Sequence, residues 1–367
     1  MSKPGIGACT PPAPHRRARK PRGPASGGEM SARRSPPRRL AGALLLVCPL
    51  TTTAHHSHAE FAEDTRVIAG ELASVAWRNP HPAMTLRVAG THEDELWRIQ
   101  VLGNVNGLAR DGVTGERFEV GQRLRITGHP SDRRERVFLA VSARFEDGTA
   151  TALGPDESSG AAVYLGSTAL TYGTEDEPGD LFRVWTVAER VRTAQLPLRP
   201  AARAAKAAWD SLLDDPQRGC RPLGMPGAMM SPHPIELIER GGDIILRLEE
   251  WDAERTIHMT PEPRRADPDR SILGYSVGHW EGETLVVTTR RIDYPYMDEH
   301  GTPQSEAVQV DERFTLSADG LHLDWSATVT DPGTFTEPFV AFTTRWVWVP
   351  GAALQPYDCL ELDALQE

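Results

Sequence analysis

Downstream of Pro234 the chain breaks into eight short stretches of strand composition, at 235–239, 243–251, 254–259, 273–280, 283–291, 306–316, 321–330 and 339–349. The turns between them are marked by Gly241-Gly242-Asp243, Glu281-Gly282-Glu283, Ala318-Asp319-Gly320 and Asp331-Pro332-Gly333. These residue types suit the backbone angles at which antiparallel strands reverse. Eight strands in meander order predict an antiparallel eight-stranded barrel or sandwich. A barrel of that size can hold one small ligand.

Period-two parity identifies the inward face. In 321–330, Leu321, Leu323, Trp325, Ala327 and Val329 share one side against His322, Asp324, Ser326, Thr328 and Thr330. Other strands carry charge on their apolar parity. Glu250 follows Ile244, Leu246 and Leu248; Arg255 precedes Ile257 and Met259; and Glu306 and Glu312 alternate with Val308, Val310 and Phe314. A buried charge costs several kcal/mol unless it is paired. Glu250, Arg255, Glu306, Glu312 and Arg345 should therefore meet one another in an ion-pair network or anchor a ligand. In a catalytic reading, Glu250 and Glu312 would divide acid and base roles, with His258 assisting.

The upstream part has a different rhythm. Strand-like runs at 67–77, 83–88 and 96–101 precede a helical turn over 104–110 capped by Asn104, and runs at 123–127 and 137–145 follow. Three strands, a helix and two strands is the order of an OB-like barrel. The expected division is an OB-like domain over 55–148, a linker over 149–219 with a helix near 200–213 opened by Pro200, and the larger β domain over 220–367. The fold class is thus mainly all-β with a short helical connector.

Residues 1–54 contain ten Lys or Arg and one acid, Glu29, leaving 30 basic against 50 acidic residues downstream. So acidic a remainder repels phosphate backbones and anionic surfaces, which argues against a nucleic-acid partner. Residues 1–29 read as an extension ahead of a start at Met30. The stretch 30–54 reads as a signal peptide, with a basic beginning, an apolar run from Leu40 to Leu50 and small residues before a cut after Ala54. That run is too short to span a membrane. A lipid anchor at Cys48 and a twin-arginine signal at Arg38-Arg39 are alternatives with poorer flanking residues. The expected location is periplasmic or secreted.

Of four cysteines, Cys220 and Cys359 remain after such a cut. An even pair in an oxidising compartment predicts a disulfide, with two buried thiols as the alternative.

The mature chain would open with His55, His56 and His58, and a segment Trp77-Arg78-Asn79-Pro80-His81 follows. A free amino-terminal His55 offers its amine and ring nitrogen to one copper ion; His81 is the best-placed third donor, and His56 and His58 are further candidates. The alternative is a solvated histidine-rich end.

These two motifs resemble a family of exported bacterial proteins of unknown function, over about residues 55–148. Gly278-His279-Trp280-Glu281-Gly282-Glu283-Thr284-Leu285-Val286-Val287, Glu312-Arg313-Phe314 and Tyr357-Asp358-Cys359 extend the resemblance over roughly 220–360. It implies an exported β protein and brings no activity. No phosphate-binding loop, His-Glu-x-x-His, Cys-x-x-Cys or haem attachment motif occurs. The reading that results is a two-domain exported protein binding a small, mainly apolar molecule in its larger barrel. An acid–base enzyme and a copper-binding protein are the alternatives.

Overall fold

The computed structural model describes residues 60–154, 179–260 and 269–359. The expected signal segment and His55, His56 and His58 lie outside the described residues.

The first domain follows its sequence pattern closely. Strands β1 (Arg66–Ala76), β2 (Ala83–Val88) and β3 (Glu95–Val101) are followed by helix α1 (Val105–Arg110), then by β4 (Arg123–Pro130) and β5 (Val137–Phe145). The Asn104 side chain caps α1 by accepting from the Gly107 amide at 2.7 Å. The sheet order is β3-β2-β1-β4-β5, and β3 closes onto β5 in parallel from Arg98 opposite Val137 to Val101 opposite Ala140. This is an OB-like barrel, with a short β6 (Ala150–Ala152) added beside β5. Leu72, Leu86, Ile99, Ile126 and Phe138 are each at most 1% exposed and fill it.

The second domain has nine strands where eight are expected. Strand β7 (Val184–Arg192) arises inside the predicted linker, ahead of α2 (Pro200–Ala208). After it come β8 (Ile235–Arg240), β9 (Asp243–Leu248), β10 (Ala253–His258), β11 (Tyr275–Glu281), β12 (Thr284–Arg290), β13 (Gln309–Leu316), β14 (His322–Thr330) and β15 (Phe339–Trp348). The closed order is β10-β11-β12-β13-β14-β15-β7-β8-β9, so β7 bridges β15 to β8. Its period is interrupted by one extra residue: Arg345 lies opposite Glu189 but Trp346 opposite Val187, leaving Ala188 bulged. Trp185 and Val187 face the core before the bulge, and Arg190 and Arg192 take the inward parity after it. The barrel is not wholly antiparallel, because β10 meets β11 in parallel at Ile257–Ser276 and His258–Val277.

Interior parity in β14 is as predicted, with Leu323, Trp325, Ala327 and Val329 at 0–2% exposure. Helix α2 ends at Ala208 rather than 213, since Trp209 turns to extended backbone and Asp210 starts a separate turn. Cys220 and Cys359 form a disulfide with Cα atoms 6.0 Å apart, tying the loop ahead of β8 to the tail beyond β15. Among the described residues, no helix is long and apolar enough to cross a membrane.

Candidate functional site

Inward charge is present in the larger barrel, in two distinct places. Arg255 on β10 and Glu312 on β13 are 2% and 0% exposed. Arg255 donates through Nη1 to Glu312 Oε1 at 3.0 Å, through a second short contact to Oε2, through Nε to Ser276 Oγ at 2.8 Å and through Nη2 to Thr289 Oγ1 at 2.6 Å. Trp325 Nε1 donates to Glu312 Oε1 at 3.1 Å. All three guanidinium nitrogens and both carboxylate oxygens thus have a protein partner, which is what a buried pair requires. Around it, Trp185, Trp325, Trp346, Phe314 and Phe342 fill the interior, with Trp325 and Trp346 ring centroids 6.0 Å apart.

The second place lies where the barrels meet, within one compact unit. Strand β9 ends at Leu248, two residues before Glu250, and a 3₁₀ turn over Glu250–Asp252 follows. Glu249 takes the buried position, at 1% exposure. It accepts from His233 Nδ1 at 2.9 Å, from Asn106 Nδ2 at 3.1 Å, from the Gln355 amide at 2.8 Å and from both arms of Arg110. Burial alone drives this carboxyl up, but the bonds from His233 and Arg110 overcome it and hold the group at about 2. Asn79, on the other side, donates to Asn106 Oδ1 at 3.0 Å and accepts from the Val105 amide at 2.9 Å, and its own amide reaches the Asp358 carbonyl at 2.9 Å.

His81 and His233 each sit in a Pro-His-Pro tripeptide, 80–82 in the first barrel and 232–234 in the second. The fold brings them together. Burial lowers the His81 imidazole, and the nearby His233 lowers it further. The turn that carries Glu249 and Glu250 is strained, since Trp251 at φ 65° and Asp252 at φ 50° are both in the left-handed region. The tail holds it there: the Tyr357 ring lies 4.8 Å from that of Trp251, and the Tyr357 amide donates to the Asp252 carboxylate at 3.1 Å.

A second group of charges lies near this turn. In the loop Met297–Thr302 every residue is buried except Glu299, whose side chain is 50% exposed. Asp298 anchors the loop by accepting from the His300 and Thr302 amides at 2.9 and 3.0 Å, and Lys206 of α2 donates to the His300 carbonyl at 2.8 Å. The Glu299 carboxyl is raised by desolvation, with Arg190 and Arg192 opposing the rise and Glu250 and Asp298 adding to it. Arg190, Arg192, Glu250 and Glu299 are thus charged neighbours at one end, the mouth, of the larger barrel.

The remaining predicted residues lie elsewhere. Glu250 is at the mouth and not inside the barrel, because the strand ends early. Glu306 precedes β13, is 90% exposed and lies 3.6 Å from Arg270. Arg345 points outward and donates to Asp324 at 2.7 Å. His258 also faces out, against Asp243 Oδ2 at 3.0 Å and stacked on Tyr275, on the opposite parity from buried Ile257. Among the described residues no group of three or more His, Cys, Asp or Glu could hold a metal ion. His233, Glu249, Glu299 and the two β7 arginines escape parity reasoning; the repeated Pro-His-Pro is the sequence signal that points to the first.

Fold and site together define a two-barrel β protein with a polar seam between its barrels and a cluster of charged side chains at that end. Residues 44–139 match a family of unknown function, DUF6152, a span that takes in the histidine-rich segment and Trp77–His81 but leaves the larger barrel uncovered. No curated protein matches the chain.

Proposed function

We propose that this chain is an exported binding protein that takes a small polar molecule at the mouth of its larger barrel, with Glu250 and Glu299 facing Arg190 and Arg192. The observation that carries the reading is the exposure of Glu299 alone from an otherwise buried loop, beside two arginines of inward parity on β7. The mouth, rather than the interior, is favoured because Arg255 and Glu312 satisfy one another and aromatic side chains surround them. A mainly apolar ligand suits this lining less well than one with ionisable or hydrogen-bonding groups. Export is supported by the disulfide, which persists in oxidising compartments.

Native mass spectrometry of the full chain, produced through an export pathway, tests the proposal. A wild-type mass above that of the polypeptide, released on denaturation and lost in Glu299→Gln and Arg192→Gln, is expected. An adduct retained equally by both variants, or none in any form, contradicts it.

The raised Glu299 carboxyl favours a second reading, in which this group serves as a general acid toward the bound molecule. Recovery of the ligand unchanged after long incubation supports the binder; conversion by wild type and not by Glu299→Gln supports the enzyme. The earlier acid–base candidates fit this less well, since Glu312 is locked by Arg255 and His258 lies on the outer face.

A further inference from the structure

The outer face of the OB-like barrel carries two adjacent cross-strand rows of very different charge. In one, Arg87 on β2 lies opposite Glu71 on β1, and Glu71 lies opposite Arg123 on β4. Charges alternate there, and Arg87 Nη1 donates to Glu71 Oε1 at 3.0 Å. In the next row outward positions run Ala69 on β1, Arg125 on β4, Arg144 on β5 and Ala150 on β6. Two arginines stand directly opposite each other, flanked by alanines. Like charges at such a position destabilise an antiparallel pair.

Arg144 is partly committed, donating through Nη1 to the Gly148 carbonyl at 3.0 Å. No acidic side chain lies within ion-pair distance of Arg125 or Arg144 among the described residues. Both line an open groove of about 330 Å³ with Ala69 between them and the rim, where Arg87 and Arg123 add positive charge and Glu71, Asp94 and Glu146 oppose it.

We infer that Arg125 and Arg144 form an oxyanion site that takes a single phosphate group on the first barrel, separate from the charged mouth of the second. Two planar guanidinium forks on neighbouring strands match the oxygens of a phosphate, and a bound dianion removes the repulsion between them. A lone phosphate group suits the site better than a polyanion, because the acidic remainder of the chain repels extended negative charge. The group could be free or carried by a lipid headgroup, and the chemistry of capture is the same.

The test uses the full chain at low ionic strength, titrated with inorganic phosphate and, separately, with vesicles of zwitterionic phosphatidylethanolamine and phosphatidylcholine, whose phosphates carry no net surface charge. Saturable phosphate binding that weakens at least tenfold in Arg125→Ala and in Arg144→Ala, and weakens with added salt, establishes a free-anion site. Vesicle binding with the same dependence and no response to free phosphate establishes a headgroup site. Arg313→Gln, on the other barrel, leaves either signal unchanged. Thermal unfolding guards against a structural explanation: relief of repulsion leaves both alanine variants at least as stable as wild type. Absence of binding to both probes, binding unaffected by the two alanine substitutions, or a lower Tm in both variants overturns the proposal.

Discussion

Glu249 and Glu250 are neighbours with opposite fates. The first is buried and receives five hydrogen bonds from four residues; the second is half-buried at the mouth of the larger barrel. Removing the Glu249 charge leaves Arg110 and His233 without their partner, so Glu249→Gln is expected to lose about 3–5 kcal/mol in denaturant unfolding. Glu250→Gln should stay within about 0.5 kcal/mol of wild type. The pH dependence has a definite sign. Because the folded carboxyl is held at about 2 against an ordinary 4.5, its contribution is complete above 4.5 and is lost as pH falls toward 2. Acid unfolding of Glu249→Gln should therefore be shallower than that of wild type across this window. Glu312→Gln should cost a similar 3–5 kcal/mol, whereas replacing Arg255 and Glu312 together by Met and Leu should cost far less. Arg255 and Glu312 were legible in the sequence because β10 and β13 keep strict parity. Glu250 was not, since a strand end two residues early moves the buried place to Glu249.

At the scale of the element, the OB-like order could be read from strand composition and one Asn cap, because those signals are local. Strand β7 could not. Its bulge at Ala188 breaks the alternation, and its inward arginines look like surface residues until β15 pairs beside them. The consequence is testable by fragment boundaries. A chain beginning at residue 220 lacks the strand that joins β15 to β8 and should show no cooperative unfolding transition by circular dichroism. A chain beginning at 179 supplies β7 and should unfold cooperatively; equal behaviour of the two contradicts a nine-stranded closure. The tail beyond β15 is a second such element. Pinned by Cys359, it donates from Gln355 to Glu249 and from Tyr357 to Asp252. The disulfide spans 139 residues, and loop closure of that length is worth at most about 5 kcal/mol in the chain-entropy account. Reduction, or Cys220→Ser with Cys359→Ser, should lower stability by up to that amount and expose Trp251, with a red-shifted fluorescence.

For the whole molecule, the seam between barrels is the feature that neither half announces. Asn79, Asn106 and Arg110 come from the first barrel, His233 and Glu249 from the second, and the tail closes over them. A single sequence displays the two Pro-His-Pro tripeptides but not their meeting, which depends on how both barrels present their ends. The charged cluster beside the seam holds one group, Glu299, that is exposed from an otherwise buried loop. Glu299 in particular is a cost: its carboxyl is raised by desolvation, so its charged form weakens the folded state at neutral pH, a deficit that disappears as pH falls below the ordinary 4.5. Thermal unfolding of wild type and Glu299→Gln, compared at pH 7 and pH 4, tests directly whether the mouth is a site rather than a structural contact. The account predicts a higher Tm for Glu299→Gln at pH 7, with the advantage gone at pH 4; a variant less stable than wild type at pH 7 would show that Glu299 holds the fold together and contradict the assignment.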